Sequence, residues 1–229
     1  MESVNQRADW VDRMPSRSPR SCSNSADSAV TRRSDHYQSF FELSQNERLG
    51  LDFQIRTRRG PSGIIVLAPH GGNIEPGCSE IADACAAEEH SFYSFEGLKA
   101  SGNWRLHIAS TKFDEPTCMQ LLQQSTMAIV IHGCRQPDDR IYLGGLDAAL
   151  AERIGRSLQD AGFNTGSKDG MQGRSRHNIC NLCGNGRGVQ LEVPFALRRR
   201  MFAHLKADGR RSTTDVFARF VRSVRVALR

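Results

Sequence analysis

Ile64-Ile-Val-Leu67 is an unbroken apolar run rich in β-branched residues, set in the longest apolar stretch of the chain, Gly63 to Ala68. A strand of this kind has no polar face to offer water, so it belongs at the centre of a sheet covered on both sides. The stretch is far too short to span a bilayer. Covering both faces requires helices, and the surrounding pattern supplies them. Tyr37, Phe40, Phe41 and Leu43–Ser44 give a short one-faced helix, and Gly77 to Glu89 a second helix. A third is expected around Pro116–Gln124. Asp147 to Ala161 is strongly amphipathic, with Leu146, Leu150, Ile154 and Leu158 at intervals of four. Strands are expected at Leu51–Ile55, near Ser91–Phe95, Leu106–Ala109 and Ala128–Ile131, and at Gly188–Val193. Alternating strands and helices predict a single three-layer α/β/α domain around a mixed central sheet.

That domain is expected over residues 35–229 of the 229. Met1 to Ser34 is Ser- and Arg-rich, contains P-S-R-S-P-R, and lacks an apolar pattern. Too little surface can be buried there to offset ordering entropy, which predicts a disordered tail. The domain closes on a basic helix, Thr213 to Leu228, with Phe217, Phe220, Val221, Val224 and Leu228 on one face beside Arg219, Arg222, Arg225 and Arg229. It reads as a packed helix with a solvated basic edge.

The net charge of +6 is unevenly spread. Residues 1–34 hold six basic and four acidic groups, and residues 198–229 hold ten against two. The intervening region has 15 against 19, a net of −4. Nucleic acid is therefore disfavoured as a partner of this region, since no broad excess of cations remains to neutralise phosphates. Seven cysteines, an odd number, with no leader ahead of them predict a reduced, cytoplasmic setting and no membrane span. Cys180 and Cys183 form a lone C-x-x-C, expected to serve neither zinc nor redox chemistry.

Chemistry-bearing residues collect at strand ends. Pro69-His70-Gly-Gly-Asn-Ile-Glu75 follows the central strand, His132-Gly-Cys134 follows Ala128–Ile131, and Glu192 ends Val189–Leu191. Ligands of open α/β sheets gather beyond the carboxyl ends of strands, so these groups could converge. Two imidazoles, a carboxylate and an open position for water are a catalytic zinc set. Gly71 and Gly72 would let the chain bend back so that Glu75 returns to the same ion. A further carboxylate beside the water could act as general base, and Glu192 is the candidate. The plain alternative is a turn histidine bonded to backbone, and H-x4-E is not itself a metal motif. Spacing alone leaves both readings open. His107, in L-H-I-A-S, reads as a hydrogen-bonded core histidine rather than a partner of a ligand.

The blocks PHGGNIEPGCSEIADACA, SFYSFEGLKASGNWRLHIASTKFDEP, IHGC, YLGGLD and NICN…GRGVQLEV, in that order, resemble the poly-γ-glutamate hydrolase family of phages and bacteria. The resemblance runs from about His36 to Arg198 and implies a compact zinc carboxypeptidase-like fold. It implies one Zn²⁺ per chain held by His70, Glu75 and His132, with Glu192 as the catalytic carboxylate. It also implies hydrolysis of γ-glutamyl amide bonds in a polyanionic glutamate polymer. Such a polymer carries a free carboxylate at every residue, so Arg105, Arg135, Arg140 and Arg187 are candidate clamps. Release by lysis would bring a cytoplasmic enzyme to an extracellular polymer. Two rivals remain: a zinc amidase or peptidase for another γ-glutamyl or N-acyl substrate, and a non-enzymatic phage-related protein that binds nucleic acid through the basic helix.

Overall fold

The computed structural model describes residues 35–229; the expected N-terminal tail lies outside the described residues. Seven strands, β1 (Phe53–Arg58), β2 (Ile64–Gly72), β3 (Ser91–Gly97), β4 (Met127–Cys134), β5 (Ile141–Gly145), β6 (Thr165–Gly166) and β7 (Val189–Pro194), make one sheet in the order β1-β3-β2-β4-β7-β5-β6. Strands β3, β2, β4 and β7 run parallel. Strand β1 is antiparallel to β3, and β5 to β7. The helices are α1 (Phe40–Asn46), α2 (Cys78–Ala86), α3 (Pro116–Gln123), α4 (Ala148–Asp160), α5 (Phe195–Met201) and α6 (Asp215–Ala227).

The run that predicted a doubly covered strand is one. Ile64, Val66 and Ala68 of β2 join Ile129, Ile131 and Leu191 under α2, α4 and α6. Ile65 and Leu67 face the other way, onto Leu43 of α1, Leu121 and Leu122 of α3, and Val130. Each fully buried aliphatic side chain contributes about 1.5–3 kcal/mol, so the two cores hold helices on both faces. Helix α6 buries Phe217, Phe220 and Val224 in the first core, and Leu228, at its C-cap, joins them. Its Arg225 donates to the Cys85 carbonyl at 3.2 Å and pairs with Glu89, while Arg222 and Arg229 stay exposed. Among the described residues, no helix is long and apolar enough to cross a membrane.

Two local expectations need correcting. Leu106–Ala109 is not a strand: a 3-10 turn covers Asn103–Leu106 and an irregular segment follows. Leu106 and Ile108 are buried while His107 and Ala109 are not, so the period of two is real, but no strand pairs with the segment. Glu192 does not end its strand either, because β7 runs on to Pro194, and His70 and His132 likewise lie inside β2 and β4 rather than after them. Strands β5 and β6 and helix α5 carried no sequence expectation; β5 is short and glycine-ended, and α5 is masked by the run Arg198–Arg200.

This topology positions the site. The chain leaves β2 through α2 to reach β3 on one side, then passes through α3 to β4 on the other. The crevice beyond the carboxyl ends of β2 and β4 is therefore the topological switch point.

Candidate active site

Pro69 lacks an N–H, which a central strand tolerates only at an irregularity. The β2–β4 ladder has by then ended at Leu67–Val130, and the β2–β3 register shifts between Ala68 and Gly71. His70 sits within that irregularity. The two glycines then turn the chain. Gly72 has φ +60°, and a Cβ there would meet Gly97 O at 2.6 Å and Gly97 N at 2.8 Å. At Gly71 a Cβ would fall 2.2 Å from Ser79 Oγ. The turn closes with the Glu75 N–H donating to His70 O at 2.9 Å. Gly72→Ala combines left-handed strain with a backbone clash and is expected to cost about 3 kcal/mol, read as a lower denaturant midpoint at unchanged slope.

Glu75 returns to the carboxyl end of β4, where its Oε2 accepts the Gly133 N–H at 2.7 Å. Its Oε1 lies 3.4 Å from His70 Nδ1, and Oε2 lies 3.8 Å from His132 Nδ1. His132 and Glu192 are direct register partners on neighbouring parallel strands. Four side chains spread over 122 positions of sequence thus meet because three adjacent parallel strands end together.

The hydrogen bonds fix which nitrogens face inward. His70 Nε2 lies 2.8 Å from Ile108 O, and a carbonyl requires the proton on that nitrogen. The lone pair is then on Nδ1, which is buried without a hydrogen-bond partner. A lone pair and a carboxylate oxygen facing each other at 3.4 Å repel unless a cation lies between them. That separation fits a zinc centre, since a tetrahedron on bonds of about 2.05 Å has edges of about 3.3 Å. His132 bonds Ser110 Oγ through Nε2 at 3.1 Å and likewise presents Nδ1 to Glu75. The residues present therefore fit a divalent cation with nitrogen and oxygen donors.

His107 differs from the sequence expectation. Its ring stacks on that of His70 at 3.9 Å between centroids, and a donor atom of each of His70, Glu75 and His107 falls within 4.8 Å of the others. Its Nδ1 lies 2.6 Å from Asp35 Oδ1. The neighbouring His70 imidazole, with burial, pushes His107 down to about 4.

Burial acts to raise Glu75, yet the imidazoles of His70 and His132 beside it outweigh that and hold the carboxyl well below the usual range. Burial also raises Glu192, and there it prevails over the attraction of His132. Two neighbouring carboxylates are thus pushed in opposite directions, the pattern expected when one stays ionised and the other handles protons. Gln190, two residues earlier on β7, donates to Glu192 Oε1 at 3.3 Å. Gln190 is itself held by Met171 O and Asn178 Nδ2.

The profile of the poly-gamma-glutamate hydrolase family matches residues 37–223. The chain belongs to that family. The poly-gamma-glutamate hydrolase family is one of amide-bond hydrolases, and the structural comparisons agree with membership. The structure of a bacteriophage poly-gamma-glutamate hydrolase superposes with a TM-score of 0.82 at 32% identity, covering 85% of this chain and 96% of the phage chain. A zinc-free apo structure of YndL gives 0.79 at 34% identity, covering 85% and 97%. The SPbeta prophage-derived UPF0714 protein YoqZ of Bacillus subtilis (strain 168) is 39% identical over 184 residues, 79% of this chain but only 66% of that protein.

The arginines proposed as clamps are all exposed. Arg135 directly follows β4 and Arg140 directly precedes β5, both at the carboxyl end that carries the histidines. Arg105 lies on the turn before His107, with Nη2 3.1 Å from His36 Nε2. Arg187 precedes β7, at the opposite end of the sheet. Arg198, which the sequence reading passed over, is 2% exposed and donates to the carbonyls of Val193, Pro76 and Cys134. It ties β7, β4 and the loop after Glu75 together behind the site. Its spacing to buried Leu197 and Met201 was the available signal, hidden in a triple arginine. Cys180 and Cys183 are buried thiols bonded to carbonyls of Gly173 and Arg187.

Proposed function

We propose that this chain is a zinc-dependent hydrolase of γ-glutamyl amide bonds in poly-γ-glutamate, with one ion held by His70, Glu75 and His132 and with Glu192 as general base. The observation that carries the reading is the buried, unpartnered Nδ1 of His70 aimed at the Glu75 carboxylate. Bound zinc supplies a Lewis acid that polarises the scissile carbonyl and acidifies water. Glu192 takes the proton of the attacking water and then delivers it to the leaving amine. Its raised proton affinity suits that exchange, and Gln190 keeps Oε1 in place. Glu75 stays ionised throughout, fixed by the Gly133 N–H. Arg135, Arg140 and Arg105 suit the α-carboxylates of polymer residues nearest the cleaved bond. Arg187 lies at the opposite end of the sheet, away from the cleaved bond.

The test is the chain length of poly-γ-glutamate by size-exclusion chromatography, with and without chelator. The expected result is shortening that chelator stops and added Zn²⁺ restores. An unchanged polymer beside a tightly bound zinc would replace the substrate with another γ-glutamyl or N-acyl amide. No shortening and no zinc would end the metal-hydrolase reading.

A further inference from the structure

Asp35 is the first described residue and precedes the family match, which begins at residue 37. Its carboxylate nevertheless reaches the heart of the site. Oδ1 lies 2.6 Å from His107 Nδ1, and Oδ2 accepts the Ala109 N–H at 2.9 Å. Between these two anchored residues lies Ile108, whose carbonyl accepts the Nε2–H of His70 at 2.8 Å. One carboxylate therefore fastens the three-residue segment that orients two histidines. With Nδ1–H given to Asp35, the lone pair of His107 is on Nε2. Histidines that ligate metals almost always place their other nitrogen against such a partner, which fixes tautomer and ring orientation. A donor of His107 already falls within 4.8 Å of those of His70 and Glu75.

We propose that Asp35 is a positioning residue of this site and that His107 Nε2 is a further protein donor to the ion held by His70 and Glu75. The inference rests on the zinc reading above. Four-coordinate zinc can take a fifth ligand, as it does in some transition states, which leaves room for water beside such a donor.

The experiment is competition for Zn²⁺ between a colorimetric chelator and the full-length protein, in wild type, Asp35→Ala, Asp35→Asn and His107→Ala. Asp35→Ala is expected to weaken zinc binding about 10–100-fold, the usual effect of removing the partner of a ligating histidine. Asp35→Asn keeps an oxygen acceptor for Nδ1–H and should recover part of that loss. His107→Ala should weaken binding and also shift the visible absorption of the Co²⁺-substituted protein, which follows the number and kind of donors. Melting curves in excess chelator separate this from a folding defect, since a metal-site role leaves them unchanged. Wild-type zinc affinity in both Asp35→Ala and His107→Ala would overturn the inference while leaving the zinc reading intact. Wild-type protein that binds no zinc would overturn both.

Discussion

Glu192→Gln should bind zinc as tightly as the wild type and lose about 10²–10⁴-fold in turnover of poly-γ-glutamate, the usual contribution of a positioned general base. The substitution keeps the shape of the side chain and an oxygen that can still accept from Gln190 Nε2, now 3.3 Å from the carboxylate. It removes only the ability to take a proton. Because Glu192 is half-buried and points to the face opposite the buried Leu191 and Val193, a neutral amide there is no burden on folding. The loss should fall on kcat rather than KM, since the proton moves in the transition state and not on binding. The measurement pairs zinc content with single-turnover cleavage of a defined γ-glutamyl oligomer. Loss of zinc along with activity would make Glu192 a ligand or a structural group.

His70→Ala should remove both zinc and activity. The histidine gives the site its buried, unpartnered nitrogen and stands at the turn that returns Glu75 to it. Changing the partner of a ligand costs 10–100-fold, so deleting a ligand is expected to cost more than about 100-fold in zinc affinity. Stripping the wild type with chelator should abolish turnover to the same degree, and Zn²⁺ should restore it in the wild type alone. His132→Ala is expected to follow His70→Ala. The two variants together show whether Nδ1 of both rings serves one ion, as their common orientation toward Glu75 suggests. Metal content by elemental analysis and turnover under matched zinc are the two readouts. Full activity of either variant in metal-free buffer would remove that histidine from the site.

The fold was legible where local pattern and burial coincide. Ile64–Leu67 announces a central strand because a continuous β-branched run has one comfortable place in a small protein. The amphipathic spacing of Leu150, Ile154 and Leu158 does the same for α4. His70, Glu75, His132 and Glu192 were visible as polar residues where buried strands run out, and the parallel register explains why they meet. Other parts of the site were not legible, for a physical reason. His107 shares an alternating rhythm with Leu106 and Ile108, so it looked like a core position on a strand that does not exist. Gln190 and Glu192 touch because residues two apart on a strand share a face, but nothing in the sequence says which face meets the histidines. Arg198 is concealed by Arg199 and Arg200, whose side chains are exposed. Asp35 carries no pattern at all, and its partner is 72 residues away.

That last contact bears on how the domain can be cut. A chain trimmed to the start of the family match at Tyr37 would retain the seven strands and six helices of the described residues and every one of His70, Glu75, His132 and Glu192. It would nonetheless lack the carboxylate that fastens His107 and Ala109. The functional edge of this domain thus lies at least two residues outside its homologous edge, and weak metal binding by such a trimmed protein would reflect the cut rather than the chemistry of the family.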